Sequence, residues 1–233
     1  FFTPLTLAVQ MLISFDADLY EIIGLSLQVS LVAVGAALML GLPLGALLAS
    51  FQFSGRGLLI VITNTLLGLP PVVVGLVVYL LISRTGPLGF LDILYSPAAM
   101  MMAQFILVLP LSIALSRQVF EGLHQDYKLL FKSLNLSWKL RVITLLADGR
   151  AALVTIALVC FGRAISEVGA VILVGGNIKH VTRVMTSAIA LETARGELAF
   201  ALALGLVLLV IALVINIISQ QLRQYFTPED RYG

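Results

Sequence analysis

The sequence predicts an all-α integral membrane protein with about five transmembrane helices, its N-terminus outside and its C-terminus in the cytoplasm. Three observations carry that prediction. Of 233 residues, 60% are hydrophobic and 11% charged, and the mean hydropathy is +1.08. A soluble domain carries about 25% charged residues, so this chain cannot cover its surface with polar groups, and lipid is its solvent. Uncharged runs recur at lengths that fit a bilayer, because a helix crossing ~30 Å of hydrocarbon needs ~20 residues. Finally, Lys and Arg are divided unevenly between alternate loops, as cytoplasmic and external loops are.

The elements follow in chain order. Residues 5–14 form a short apolar stretch suited to lying at the interface rather than crossing. The opening run FFTPLTLAVQMLISFDADLYE lacks a basic n-region and a small-residue cleavage site, so it does not read as a signal peptide, and Phe1 in place of Met reads as a trimmed N-terminus. The first span is predicted at 22–51, too long to stand upright, tilted and loosened by Gly35, Gly41, Pro43 and Gly45. The second, 58–82, contains GLPPVVVGL; the third is 94–115; the fourth, 151–176, is broken only by Arg163 and Glu167; the fifth is 198–221. Together, residues 1–233 read as one transmembrane domain.

Orientation follows from charge. With the N-terminus outside, the inner side receives nine basic residues: Arg56, Arg117, Lys128, Lys132, Lys139, Arg141, Arg150, Arg223 and Arg231. The outer side receives four, Arg84, Lys179, Arg183 and Arg195, while Asp16, Asp18 and Glu21 lie in the N-terminal segment. Cytoplasmic loops hold the excess. The long inner loop, 117–150, mixes Leu129, Leu130, Leu134 and Leu136 with Lys128, Lys132 and Lys139. That pattern predicts short amphipathic helices, held either by anionic lipid or by a cytoplasmic partner. Apolar side chains such as Leu130, Phe131 and Trp138 need a groove to bury in, which favours the partner.

The inventory of chemical motifs gives an enzyme little to stand on. There is no G-x-x-x-x-G-K run to cradle phosphates, so the chain cannot hydrolyse ATP alone, and no G-x-S-x-G, H-E-x-x-H or C-x-x-C. Cys160 and two histidines are too few for a structural zinc site, and His124 and His180 fall on opposite predicted sides. No cofactor is expected in this chain. Transport has more support, because ionisable residues at membrane depth mark a pathway or a buried pair.

Arg163 and Glu167 are such residues. Each would cost ~2.5–3.5 kcal/mol at mid-span on insertion scales, and the i, i+4 spacing predicts that they share a helix face and pair. One reading makes them a neutralising pair that locks the helix in place. The other lets Arg163 add positive potential to an anion path, with Glu167 holding it. The spacing of Gly169, Gly175 and Gly176 fits close helix packing. The VGGN end unwinds the backbone, leaving Asn177 to cap the helix or line an opening.

Taken in order, LPPVVVGL (69–76), RTGPLG (84–89), VLPL (108–111), the basic loop and RAISEVGAVILVGGNI (163–178) resemble the transmembrane permease subunits of ABC oxyanion importers. The last block is most similar to the tungstate permeases, with molybdate and sulfate permeases next. The resemblance implies a type I importer permease fold and a homodimer in a prokaryotic cell membrane. Two ABC ATPase subunits, which bind ATP and Mg, would dock in the cytoplasm, and an extracytoplasmic binding protein would deliver the oxyanion. It also implies alternating access, with Pro70, Pro71, Arg163, Glu167, Gly169, Gly175, Gly176 and Asn177 at the pathway or its buried pair. The ATPase would dock on a coupling helix formed from Asp126, Tyr127, Leu130, Phe131, Leu134, Asn135 and Ser137, with Phe131 and Leu134 as apolar anchors. The family's E-A-A-x-x-x-G pattern is not kept here; its positions fall on Leu129, Leu130, Phe131 and Asn135, and a proline that usually follows falls on Asp148. Tungstate and molybdate are both tetrahedral dianions of similar size, so both stay open as cargo. A non-transporting membrane scaffold would also give five spans and a basic loop, but the loop's length and position favour docking. An ion-coupled carrier would commonly show internal repeats and more spans.

Overall fold

The computed structural model describes residues 2–14 and 16–226, with side chains at 5–14, 16–150 and 152–221. These residues form ten α-helices and no strand. Arg231 and Tyr232 lie outside them.

The first helix, α1 (Phe2–Ile13), covers nearly all of the short apolar stretch at 5–14 and joins the bundle. It packs along the last helix, α10 (Leu198–Phe226), with Ala8 buried beside Leu19, Met185, Ala203 and Leu204. Asp16 then opens α2 (Ala17–Ser50). Its Oδ1 accepts from the Leu19 N–H at 3.0 Å, satisfying one of the orphan amides of a helix start. The span therefore begins at Ala17 rather than 22.

Gly41, Pro43 and Gly45 do not loosen α2, which stays continuous to Ser50. The glycines instead admit α5 (Pro97–Ser133). A Cβ on Gly41 would collide with Ser112 Oγ, and one on Gly45 with Ser116 Oγ. At that approach Ser112 Oγ donates to Ala37 O at 3.0 Å and Ser116 Oγ to Gly41 O at 3.1 Å, each shared with a carbonyl of its own helix. Small residues that let backbones meet, plus hydrogen bonds across the seam, are what hold helices together where lipid removes the hydrophobic drive.

The predicted second span is two helices. α3 (Arg56–Leu67) and α4 (Pro71–Ile82) meet at 101° across Gly68, Leu69 and Pro70. A residue before proline disfavours the α region, and Leu69 and Pro70 each precede one, while Pro71 pre-sets the first turn of α4. A 3-10 turn (Gly89–Leu91) leads to α5, which runs to Ser133 instead of stopping at 115. Most of the predicted loop 117–150 is thus helical: the end of α5, a turn in which Asn135 takes φ 45°, and α6 (Trp138–Asp148).

The predicted fourth span is also broken. α7 (Arg150–Ile165) stops, Ser166–Val168 leave the helix, and α8 (Gly169–Gly175) resumes; α9 (Met185–Arg195) and α10 follow. Among the described residues, three helices are long and apolar enough to cross a membrane alone, α2, α5 and α10, and counting the bent pairs α3–α4 and α6–α7 as one span each gives up to five by length and composition. Charge separates the two ends of the bundle. At one, Lys179 Nζ meets Asp18 Oδ2 at 2.6 Å and His180 Nδ1 meets Glu21 Oε2 at 2.7 Å. At the other, Glu121 binds Arg56 at 2.5 Å and Arg117 at 2.8 Å, and Arg56 Nε also donates to Leu48 O at 2.7 Å, fixing the α2–α3 corner.

Candidate functional site

Arg163 occupies the last turn of α7, and Glu167 lies just beyond the helix end. The pair forms, with Arg163 Nη1 2.8 Å from Glu167 Oε2, but across a break rather than along one helix face. Its two members differ in burial: the Glu167 side chain is 4% exposed and that of Arg163 is 40% exposed. Neighbouring elements pin the buried member. Its Oε1 accepts from the Ala170 N–H at 3.3 Å at the start of α8, and Thr186 Oγ1 of α9 donates to its carbonyl at 2.7 Å. From α5, Gln104 Nε2 donates to Ala164 O at 3.0 Å, a carbonyl that also accepts from the Glu167 N–H at 3.1 Å where α7 stops. A buried carboxylate is tolerated because it is paired and hydrogen-bonded. A guanidinium carries five N–H donors. Among the described residues Glu167 alone engages those of Arg163 through an ion pair or hydrogen bond, so most remain open.

The α3–α4 break abuts this one. A Cβ on Gly75 would stand 2.6 Å from Ala170 Cα, and one on Gly169 would stand 2.6 Å from Val72 Cγ2. Helices α4 and α8 therefore pack nearly backbone to backbone, and Gly68–Pro71 lies beside Ser166–Gly169. Gly68 and Pro70 are exposed and Pro71 is half-buried. Irregular backbone at membrane depth occurs only where protein buries it or water lines it.

Pro70, Pro71, Arg163, Glu167 and Gly169 are thus brought together. Gly175, Gly176 and Asn177 are not; they close the far end of α8, ~10 Å away at 1.5 Å per residue. Gly175 makes room for Met100 Sδ, and Gly176 takes φ 71° against the Tyr95 ring. Asn177 ties the end of α8 to α9: Ser187 Oγ donates to its Oδ1 at 2.9 Å, and its Nδ2 donates to Ser187 O at 3.3 Å. The sequence reading missed Gln104, Thr186, Ser26 and Ser30. Their signal was a polar residue inside an apolar run, as in MMMAQFILVLP.

In the basic segment, Phe131 is not a surface anchor. It is 1% exposed, packed with Ala46, Ala49, Phe120 and Leu145 and stacked on half-buried Tyr127 at 5.7 Å. Leu134 is 59% and Leu129 82% exposed, and Leu130 and Trp138 are also exposed, as are Asp126, Asn135 and Ser137. At the opposite end, a cavity of about 310 Å³ holds Asp18, Glu21 and His180 close together, where Lys179 and His180 already engage the carboxylates.

A bundle of broken, tightly packed apolar helices with an exposed amphipathic end is the architecture of a membrane transport subunit. The chain belongs to the family described as binding-protein-dependent transport system inner membrane components, which matches residues 41–228. It is accordingly a multi-pass inner membrane protein of the type I permease fold and a membrane subunit of its transport system. It is 41% identical over 218 residues to the tungstate uptake system permease protein TupB of Peptoclostridium acidaminophilum, covering 93% of this chain and 95% of the relative. It is 42% identical over 174 residues to the TupB of Campylobacter jejuni, covering 75% and 73%. To the molybdenum transport system permease protein ModB of Escherichia coli it is 28% identical over 216 residues, covering 87% and 93%.

Proposed function

We propose that this chain is the permease subunit of an ABC importer for tungstate or a closely related tetrahedral oxyanion, working by alternating access. Two copies enclose the pathway and two ATPase subunits, which carry the ATP and Mg, dock in the cytoplasm. An extracytoplasmic binding protein supplies the anion, and the N-terminus faces outside. The observation that carries this reading is the meeting of two broken helices at Arg163 and Glu167, beside the exposed Gly68 and Pro70. Such breaks are tolerated beside a water-filled path, and a guanidinium with open donors suits an oxyanion passing it. Tungstate is favoured over molybdate because the relatives named for tungstate are at 41–42% identity and the ModB proteins are at 28%.

The ATPase-docking surface we propose is Asp126–Ser137 with its anchors revised: exposed Leu129, Leu130 and Leu134 fill the partner's groove, and buried Phe131 shapes the segment from within. A non-transporting scaffold would have no use for backbone breaks beside a charged pair. The test is reconstitution in vesicles with the ATPase and binding protein. ATP-dependent uptake of labelled tungstate, resisting excess sulfate, is the expected result. ATP turnover without uptake would favour the scaffold, and stronger uptake of molybdate would reassign the cargo.

A further inference from the structure

Gln104 is 4% exposed at the level of the α7–α8 break, and its amide is oriented by its partner: Nε2 donates to Ala164 O at 3.0 Å. The reverse orientation would set two acceptors against each other. Its Oε1 is buried and has no hydrogen-bond partner. Gln104 lines a small cavity of about 10 Å³ together with Ser26, Ser30, Glu167 and Thr186. Two of the three hydroxyls at hand are committed elsewhere, Ser26 Oγ donating to Ile22 O at 2.6 Å and Thr186 Oγ1 to Glu167 O at 2.7 Å, which leaves Ser30 as a further polar partner for whatever fills the cavity. A cavity of ~10–15 Å³ with two to four polar partners is the size and character that holds one water. The Glu167 carboxylate, with about four lone-pair sites and two donors on it, has room for another.

We propose that this cavity binds one ordered water, which donates to Gln104 Oε1 and to the Glu167 carboxylate. Gln104 is then a positioning residue: through Ala164 O and the water it holds the α7–α8 break, and so the direction of Arg163. The consequence for transport rests on the permease reading above; the water itself does not.

A cryo-electron microscopy map of the assembled wild-type importer, sharp enough to show ordered waters, should show a single density ~2.7–3.2 Å from Gln104 Oε1 and from a Glu167 oxygen. An empty cavity would overturn the proposal, as would a density with the ~2.3–2.6 Å contacts of a metal cation. Gln104→Met keeps the volume and loses both polar contacts. It should assemble but import about tenfold more slowly, the equivalent of one or two net hydrogen bonds. Gln104→Glu, when protonated, can donate to Ala164 O and accept from the water. The charged group that shares its cavity is Glu167, itself paired with Arg163, and the polar side chains from α2 and α9 there are Ser26, Ser30 and Thr186. Uptake by Gln104→Glu relative to wild type should therefore be near normal at about pH 5.5 and decline towards that of Gln104→Met as alkali ionises the second carboxyl. Wild-type uptake by Gln104→Met, or a Gln104→Glu ratio flat with pH, would leave Gln104 as packing alone.

Discussion

The seam between α2 and α5 makes a prediction whose size can be worked from the structure. Gly41→Ala drives a methyl into Ser112 Oγ, with Ser112 Cβ at 2.8 Å and Ile113 N at 3.3 Å. Overpacking of this kind costs ~1–3 kcal/mol. Loss of the Ser112–Ala37 bond, with the Ser116–Gly41 bond weakened, adds ~0.6–1 kcal/mol, the usual worth of an interhelical hydrogen bond in membranes. Replacing a mid-helix glycine returns ~0.5–1 kcal/mol. The net is a destabilisation of about 1–3 kcal/mol, measurable by unfolding the purified chain in mixed detergent micelles. Rescue separates this account from a general intolerance of bulk. Ser112→Gly removes the two worst contacts of Gly41→Ala, leaving only Ile113 N, so the double variant should recover part of the loss. Gly45→Ala also meets Arg117 N at 2.8 Å, a backbone atom. Ser116→Gly cannot move that atom, so it should rescue poorly. Equal rescue at both positions, or a Gly41→Ala variant as stable as wild type, would show that α2 and α5 do not meet in this register.

Three further predictions follow. Leu134→Asp should leave the folded chain intact while releasing the ATPase on co-purification, whereas Phe131→Asp, a charge placed in the chain's own core, should lower thermal stability by several kcal/mol; the reverse pattern would move the docking surface. In a Cys160-free background, cysteines at positions 16 and 179 should label from outside sealed cells and one at 132 only after permeabilisation, and outside labelling at 132 would refute the orientation. Arg163→Gln strands a carboxylate that is 4% exposed and should cost assembly ~3–5 kcal/mol, while Glu167→Gln frees a half-exposed guanidinium and should cost much less. The double variant should assemble yet import slowly, and wild-type import by it would reduce the pair to a packing device.

The sequence made the long apolar helices legible because composition alone decides that a helix lies in lipid. Their boundaries were less legible. Asp16, Asp18 and Glu21 are charged, so counting uncharged residues starts the span after Glu21, whereas the helix takes Asp16 as its cap and runs through the other two. Likewise Arg117 and Glu121 end an uncharged run without ending α5, since each neutralises the other one turn along. Gly68–Pro70 could be read as a break from proline chemistry, but the partner of that break, Ser166–Val168, contains no proline. Tertiary contacts from Gln104 and Thr186 hold it open, and no local rule carries those. Phe131 fails for a related reason: an amphipathic pattern shows that a segment has an apolar side, not whether its own chain or a partner covers each residue.

Continuity matters more than any single contact in linking the ends of this molecule. Helix α5 runs unbroken over 37 residues, ~55 Å at 1.5 Å per residue. It bears exposed Leu129 and Leu130 near one end and Gln104 and Met100 towards the other. The two sites proposed to matter therefore share one rod, and a displacement at the basic end reaches Ala164 O through Gln104 without crossing a loop. Helices α4 and α8 have little slack, because Gly75 and Ala170 are in backbone contact and Gly169 is filled by Val72. A push along α5 must then be taken up where the helical ladder is already interrupted, at Gly68–Pro70 and Ser166–Val168. Those breaks flank the half-exposed guanidinium of Arg163, so the least rigid backbone beside the rod is also where an anion would meet its charge.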